Sequence, residues 1–128
     1  MAKKKILIVD DEIDFINMMK IKLEENDYDV VSSSTGKDVI DIIKKQKPDA
    51  VLLDVMMPEV DGLNILKQVR SFDETIPVFI VTAFSNEERI KLAGKFNASG
   101  VILKFSDNMV NEIKHLTKAI GVAEKYRK

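Results

Sequence analysis

The sequence predicts an α/β fold in which one parallel β-sheet is covered by helices on both faces. Short apolar runs alternate along the chain with stretches whose apolar residues recur at helical spacing. The apolar runs are nearly continuous, which is typical of strands buried on both faces of a parallel sheet. Because strand and helix patterns alternate throughout and crossovers are right-handed, we expect a doubly wound arrangement.

Each element follows from its own local pattern. The predicted strands are Ile6–Val9, Tyr28–Val31, Ala50–Leu53, Pro77–Val81 and Gly100–Leu103. The helices between and after them are predicted from apolar stripes, which are Phe15, Ile16, Met19 and Leu23; Val39, Ile40 and Ile43; Leu63, Leu66 and Val69; Ile90, Ala93 and Phe96; and Val110, Ile113, Leu116 and Ile120. Thr35-x-x-Asp38 predicts the start of the second helix, and Ser85-x-x-Glu88 predicts the start of the fourth. Five strands and five helices fit the flavodoxin-like strand order 2-1-3-4-5.

Length and composition limit what the chain does. Its 128 residues predict a single domain, residues 1–128, with a core of about 4–122. A formal net charge of −1 argues against direct nucleic-acid binding. The absence of Cys excludes disulfides and thiolate metal sites, and a single His excludes a two-His mechanism. No apolar run approaches a membrane span and no signal peptide is recognised, so we expect a cytoplasmic protein without a membrane partner.

Polar residues follow four of the predicted strands. They are Asp10, Asp11 and Glu12 after the first strand, Asp54 after the third, Thr82 after the fourth and Lys104 after the fifth. Ligands of open α/β sheets bind at the carboxyl ends of the strands, where the strand order reverses. In the predicted order this point lies between strands one and three, so we expect Asp10, Asp11 and Asp54 to converge.

Three converging carboxylates need a compensating charge, and their oxygen ligands favour Mg²⁺, or Mn²⁺ as an alternative. Asp54 is then placed to act as a nucleophile toward a phosphoryl group. The Lys104 ammonium and the Thr82 hydroxyl would stabilise the phosphoryl oxygens. For any one of these residues a role as a turn or cap former is the simpler interpretation, but it does not explain the whole set.

With these residues in place, the chain resembles a response-regulator receiver domain of two-component signalling, of the chemotaxis-regulator-like single-domain kind. The resemblance covers essentially the whole chain. It is carried by Ile6–Glu12, by Asp49–Gly62, by Val81–Ala83 and by Ala98–Lys104.

The resemblance implies that Asp54 is the phosphorylated residue and that Thr82 and Lys104 contact the phosphoryl group. The implied Mg²⁺ ligands are Asp10, Asp11, Asp54 and the backbone carbonyl of Met56. The implied phosphodonor is a sensor histidine kinase or a histidine phosphotransfer protein, and the implied output is a downstream protein. The domain would be a switch or a phosphorelay intermediate rather than an enzyme, and a phosphorylation-linked dimer stays open.

Four positions are expected to modulate this behaviour. Phe105 follows Lys104 where the family usually has Pro. A cis peptide bond before a non-proline residue costs about 3 kcal/mol, so the sequence leaves open whether the Lys104–Phe105 bond is cis or trans. Val101 stands where the family usually has an aromatic residue that moves during switching. Met56 and Phe84 cannot hydrogen-bond an attacking water well, which leads to the hypothesis of slow autodephosphorylation.

Three alternatives remain open at this stage. One is a receiver-like interaction module that does not depend on phosphate, which Phe105 and Val101 favour. Another is a receiver domain taken from a larger response regulator. The third is a Mg²⁺-dependent aspartyl-phosphate phosphatase, but Met56 stands where that enzyme would need a second Asp.

Overall fold

The computed structural model describes residues 3–57, 60–83, 87–104 and 109–126. Strands and helices alternate along the whole described chain, as the sequence predicts. They are β1 (Lys4–Val9), α1 (Ile13–Glu24), β2 (Tyr28–Ser33), α2 (Val39–Gln46), β3 (Ala50–Asp54), α3 (Gly62–Phe72), β4 (Val78–Thr82), α4 (Glu87–Lys95), β5 (Gly100–Leu103) and α5 (Met109–Tyr126).

All five strands form one parallel sheet in the order β2-β1-β3-β4-β5, which confirms the predicted fold class. The register brings the carboxyl ends of the strands level with one another. Asp54 lies opposite Val81, and Thr82 lies opposite Leu103. Residues at or just after the ends of β1, β3, β4 and β5 therefore meet at one edge of the sheet.

The core is divided by the sheet into two layers. Successive side chains of a strand point to opposite faces, so Ile6 and Ile8 pack with α1 and α5 while Leu7 and Val9 pack with α2 and α3. The central strands β1 and β3 are almost fully buried along the segment that they share. This double burial explains why both strands appear in the sequence as continuous apolar runs.

The start of the second helix differs from the prediction. The helix begins at Val39 instead of Thr35. The Thr35 hydroxyl accepts a hydrogen bond from the Lys37 backbone within a turn (3.2 Å), and Gly36 has a φ of +77° that does not continue a helix. The predicted cap of the fourth helix at Ser85 lies outside the described residues, as does the side chain of Val110.

Within the described residues, no helix is long and apolar enough to cross a membrane. The cytoplasmic location and the single domain over residues 1–128 both stay predictions.

Candidate functional site at the carboxyl edge of the sheet

Four polar side chains are buried at the carboxyl edge of the sheet. Asp54 and Thr82 end β3 and β4, and Asp10 and Lys104 directly follow β1 and β5. Their exposed fractions are only 1% for Asp10, 3% for Asp54 and Thr82, and 5% for Lys104. Since charged side chains are rarely buried unless they are paired, this concentration marks the edge as the candidate functional site.

The Lys104 ammonium lies at the centre of the site. Its Nζ is 2.7 Å from Asp10 Oδ2, 2.7 Å from Glu12 Oε1 and 3.2 Å from Asp54 Oδ2. It also lies 4.8 Å from the centroid of the Phe15 ring, which is within the range of a cation–π contact. In the structure the Lys104 ammonium therefore compensates part of the charge of three carboxylates.

The pKa values of Asp10 and Lys104 are both raised, but burial acts on them in opposite directions. It raises the pKa of Asp10 to about 6, although the contact with Lys104 and the Glu12 backbone N–H both act to lower it. Burial acts to lower the pKa of Lys104, but its close contacts with the Asp10 and Glu12 carboxylates and the charges of Asp10 and Asp54 outweigh burial, so that pKa is raised. Lys104 therefore stays a cation, whereas burial brings the pKa of Asp10 to about 6.

Backbone hydrogen bonds hold Asp54 and Lys104 in position. The Met56 backbone N–H donates to Asp54 Oδ1 (2.8 Å), while Lys104 Nζ donates to Asp54 Oδ2 (3.2 Å). The Lys104 backbone N–H donates to the Thr82 carbonyl (2.8 Å), which extends the β4–β5 ladder by one bond. The side chain of Lys104 thus starts from a fixed point beside Thr82.

The donor set fits a hard divalent cation. Asp10, Glu12 and Asp54 each offer a carboxylate oxygen, and these oxygens lie within 4.8 Å of one another. Asp10 Oδ2 is buried and accepts no hydrogen bond from the described residues, although Lys104 lies beside it. A buried carboxylate oxygen without a directed donor is suited to bind an ion, and an all-oxygen set suits Mg²⁺.

The structure brings together Asp10, Asp54 and Lys104, as expected from the sequence. Asp11 differs, because it is exposed and does not belong to the described carboxylate group, in which Glu12 stands instead. Glu12 is the N-cap residue of α1, but its side chain makes no capping bond and turns to Lys104. The metal-binding role of Asp11 stays a prediction.

The predicted modulators are only partly described. Met56 is 47% exposed and Val101 is 39% exposed, so both side chains are available at the surface. Phe84 and Phe105 lie outside the described residues, and so does the bond between Lys104 and Phe105. The roles of all four residues, and of the Met56 carbonyl as a ligand, stay predictions.

Two residues of the site were missed by sequence reasoning. Glu12 had a signal, because the acidic run after β1 continues past Asp11, but it was given no role. For Arg89 of α4 the sequence carries no such signal. Its Nη2 donates to the Val55 carbonyl and to Asp61 Oδ1, each at 2.8 Å, and Val55 is 34 positions away in sequence. No local pattern encodes a contact of that range.

Comparisons with known proteins agree with this geometry. The sequence model described as "Response regulator receiver domain" matches residues 6–117. The alkaline phosphatase synthesis transcriptional regulatory protein PhoP of Bacillus subtilis is 37% identical over 110 residues, or 84% of this chain. The chain spans 45% of the length of that relative. The sporulation initiation phosphotransferase F of the same organism is 33% identical over 118 residues, which cover 92% of this chain and 94% of that protein.

Solved structures show the same fold. The chemotaxis protein CheY4 of Vibrio cholerae has a TM-score of 0.85 and 26% identity, over 92% of this chain and 99% of that one. The BeF3-activated receiver domain of Klebsiella pneumoniae RstA has a TM-score of 0.82 and 28% identity, over 91% of this chain and 98% of that one. The matched residues 6–117 include all the side chains that form the site.

Proposed function

Since the chain belongs to the response regulator receiver domain family, we propose that Asp54 accepts a phosphoryl group from a phosphohistidine and so switches the binding of a partner protein. The observation that carries this proposal is the buried Asp54 carboxylate, which lies beside Asp10 and within 3.2 Å of the Lys104 ammonium. This arrangement supplies a nucleophile together with a fixed positive charge, and phosphoryl transfer mainly requires positioning and charge stabilisation.

In the proposed reaction an Asp54 oxygen forms a bond to phosphorus while the bond from phosphorus to the donor imidazole breaks. Lys104, already in contact with Asp54 Oδ2, would bind a transferred phosphoryl oxygen, and the Thr82 hydroxyl at the neighbouring strand end would bind another. Mg²⁺ supplies charge neutralisation when it is bound. Asp10, Asp54 and Glu12 would hold it, with Asp11 and the Met56 carbonyl as the further expected ligands.

The proposed acyl phosphate is long-lived. Met56 follows Asp54 by two residues, is half exposed, and offers no group that could orient an attacking water. Phe84, two residues after Thr82, has the same chemical property. We therefore propose a signalling domain with slow autodephosphorylation rather than an enzyme that turns over a substrate.

The proposed partners are a sensor histidine kinase or a histidine phosphotransfer protein as donor, and a downstream protein as output. The relative that this chain covers almost end to end is named a phosphotransferase, which favours a role as a phosphorelay intermediate. The relative named a transcriptional regulatory protein is more than twice as long as the matched region, which favours the alternative of a receiver that works within a larger regulator.

Intact-mass measurement after incubation with a small acyl-phosphate donor and Mg²⁺ tests the proposal. The wild type should gain one phosphoryl group, and Asp54→Asn should gain none. The same substitution at exposed Asp29 is the matched control and should behave as the wild type. No gain in the wild type favours the phosphate-independent module, and continuous release of phosphate favours the phosphatase.

The decay of the purified phosphorylated protein in Mg²⁺ tests the slow autodephosphorylation. Met56→Asn combined with Phe84→Glu supplies groups that can orient water and should shorten the lifetime. A wild-type lifetime of seconds would contradict the proposed shielding.

A further inference from the structure

Arg89 connects helix α4 to the loop that follows the phosphoacceptor strand. Its Nη2 donates to the Val55 carbonyl and to the Asp61 carboxylate, each at 2.8 Å. The side chain is 27% exposed, so the contact is partly shielded from water. A guanidinium is well suited to such a bridge, because its planar donors have a fixed geometry and it stays charged at any physiological pH.

The Val55 carbonyl belongs to the same peptide unit as the Met56 N–H. That N–H donates to Asp54 Oδ1 at 2.8 Å. Because the peptide unit is planar, its carbonyl and its N–H move together. Arg89 on one side of this unit and the Asp54 carboxylate on the other therefore form a continuous hydrogen-bonded chain, and a donor at the carbonyl strengthens the bond made by the N–H.

The second partner of Arg89 fixes the other end of the loop. Asp61 is the N-cap of α3 and accepts a hydrogen bond from the Leu63 backbone at 2.9 Å. The next residue, Gly62, lies so close to β3 that an added Cβ would be 2.4 Å from the Asp54 carbonyl oxygen. Arg89 thus contacts both ends of this loop, at Val55 and at Asp61, beside the close approach of α3 to β3.

We propose that Arg89 is a positioning residue for the phosphorylation of Asp54, which it orients through the Val55–Met56 peptide unit. The inference rests on the proposed function and adds a regulatory consequence to it. A partner that displaces α4 would release the peptide unit and slow phosphorylation of Asp54. By reciprocity, any rearrangement of that unit on phosphorylation would change the position of α4.

Arg89→Met tests the inference, because methionine keeps an unbranched apolar side chain and removes the hydrogen bonds to the Val55 carbonyl and to Asp61. The measurements are the rate of phosphorylation by a small acyl phosphate at saturating Mg²⁺ and the ¹H chemical shift of the Met56 amide. We expect the rate to fall about tenfold, as for the loss of a hydrogen bond to a charged group, and the Met56 amide proton to shift upfield. A role confined to general stability would leave the amide shift of the folded protein unchanged.

Two further variants make the test decisive. Lys91→Met removes an exposed charge from the same helix and should change neither measurement. Arg89→Lys keeps the charge with a less suitable geometry and should give intermediate values; it also replaces Arg89→Met as the test if that variant does not fold. If the folded Arg89 variants keep the wild-type rate and Met56 shift, the inference is overturned. If the wild type itself is not phosphorylated, the proposed function fails first, and the inference fails with it.

Discussion

At the scale of single residues, the site is held together by one buried lysine among carboxylates. Lys104→Met should leave Asp10 and Asp54 buried without their counter-charge, while keeping an apolar side chain over Phe15. Removing one partner of a buried ion pair typically costs about 3–5 kcal/mol. We expect a loss of that size in the free energy of unfolding without Mg²⁺, and a smaller loss when Mg²⁺ is present.

Urea denaturation with and without Mg²⁺ measures both losses. Lys114→Met, which removes an exposed lysine, is the control and should be nearly neutral. Equal losses for the two variants would show that Lys104 does not compensate the buried carboxylates.

Asp10 makes the site sensitive to pH. Its pKa of about 6 means that the metal-free folded chain holds this proton more tightly than the unfolded chain, in which the value is near 3.8. The contribution of Asp10 to stability is therefore lost as the pH rises from about 4 to about 6. Mg²⁺ requires the ionised carboxylate, so its apparent affinity should fall below pH 6, by up to about tenfold per pH unit for one proton.

Calorimetric titration of Mg²⁺ between pH 5 and 7.5 checks this dependence. In Asp10→Asn the weaker residual binding should vary much less with pH. A wild-type affinity that stays constant below pH 6 would be inconsistent with a protonated Asp10 in the metal-free site.

At the scale of secondary-structure elements, the site depends on how closely α3 approaches β3. In Gly62→Ala the new Cβ would meet the Asp54 carbonyl oxygen at 2.4 Å and Val55 Cα at 2.5 Å, so the backbone must shift. Overpacking of this kind costs about 1–3 kcal/mol. We also expect slower phosphorylation, because the shift occurs at Asp54, the proposed phosphoacceptor.

Gly94→Ala in α4 is the matched control. Among the described residues outside the backbone of its own helix, no atom lies within 4 Å of the added Cβ, and alanine is the better helix former by about 0.8–1 kcal/mol. It should therefore stabilise the protein slightly. If both glycine variants gave the same unfolding midpoint in urea, the close approach at Gly62 would not matter.

The secondary-structure elements also show what could be predicted from the sequence. The strands were found to within two residues at each end, because burial on both faces leaves a continuous apolar run, as in Ala50–Asp54. The strand-end residues Asp10, Asp54, Thr82 and Lys104 followed from topology. The contacts of Glu12 and Arg89 could not be predicted from the sequence. They depend on how the first turns of α1 and α4 lie against loops that are distant along the chain, and local periodicity does not indicate such contacts.

At the scale of the whole molecule, the sheet separates two cores and fixes the site at its edge. Met19 of α1 lies in one core, Leu66 of α3 lies in the core on the opposite face of the sheet, and both side chains are fully buried. Replacing either residue with alanine should cost about 2–5 kcal/mol. Since both cores pack on the central strands β1, β3 and β4, we expect each variant to unfold in a single transition.

These two core variants separate stability from chemistry. The site is built from strand ends whose positions are set by the ladder of the sheet, so Met19→Ala and Leu66→Ala should lower the urea midpoint yet keep the wild-type phosphorylation rate under native conditions. Gly62→Ala, in contrast, should lower both. If Leu66→Ala slowed phosphorylation while Met19→Ala did not, the α3 side of the core would be positioning Asp54, and the sheet alone would not account for the geometry of the site.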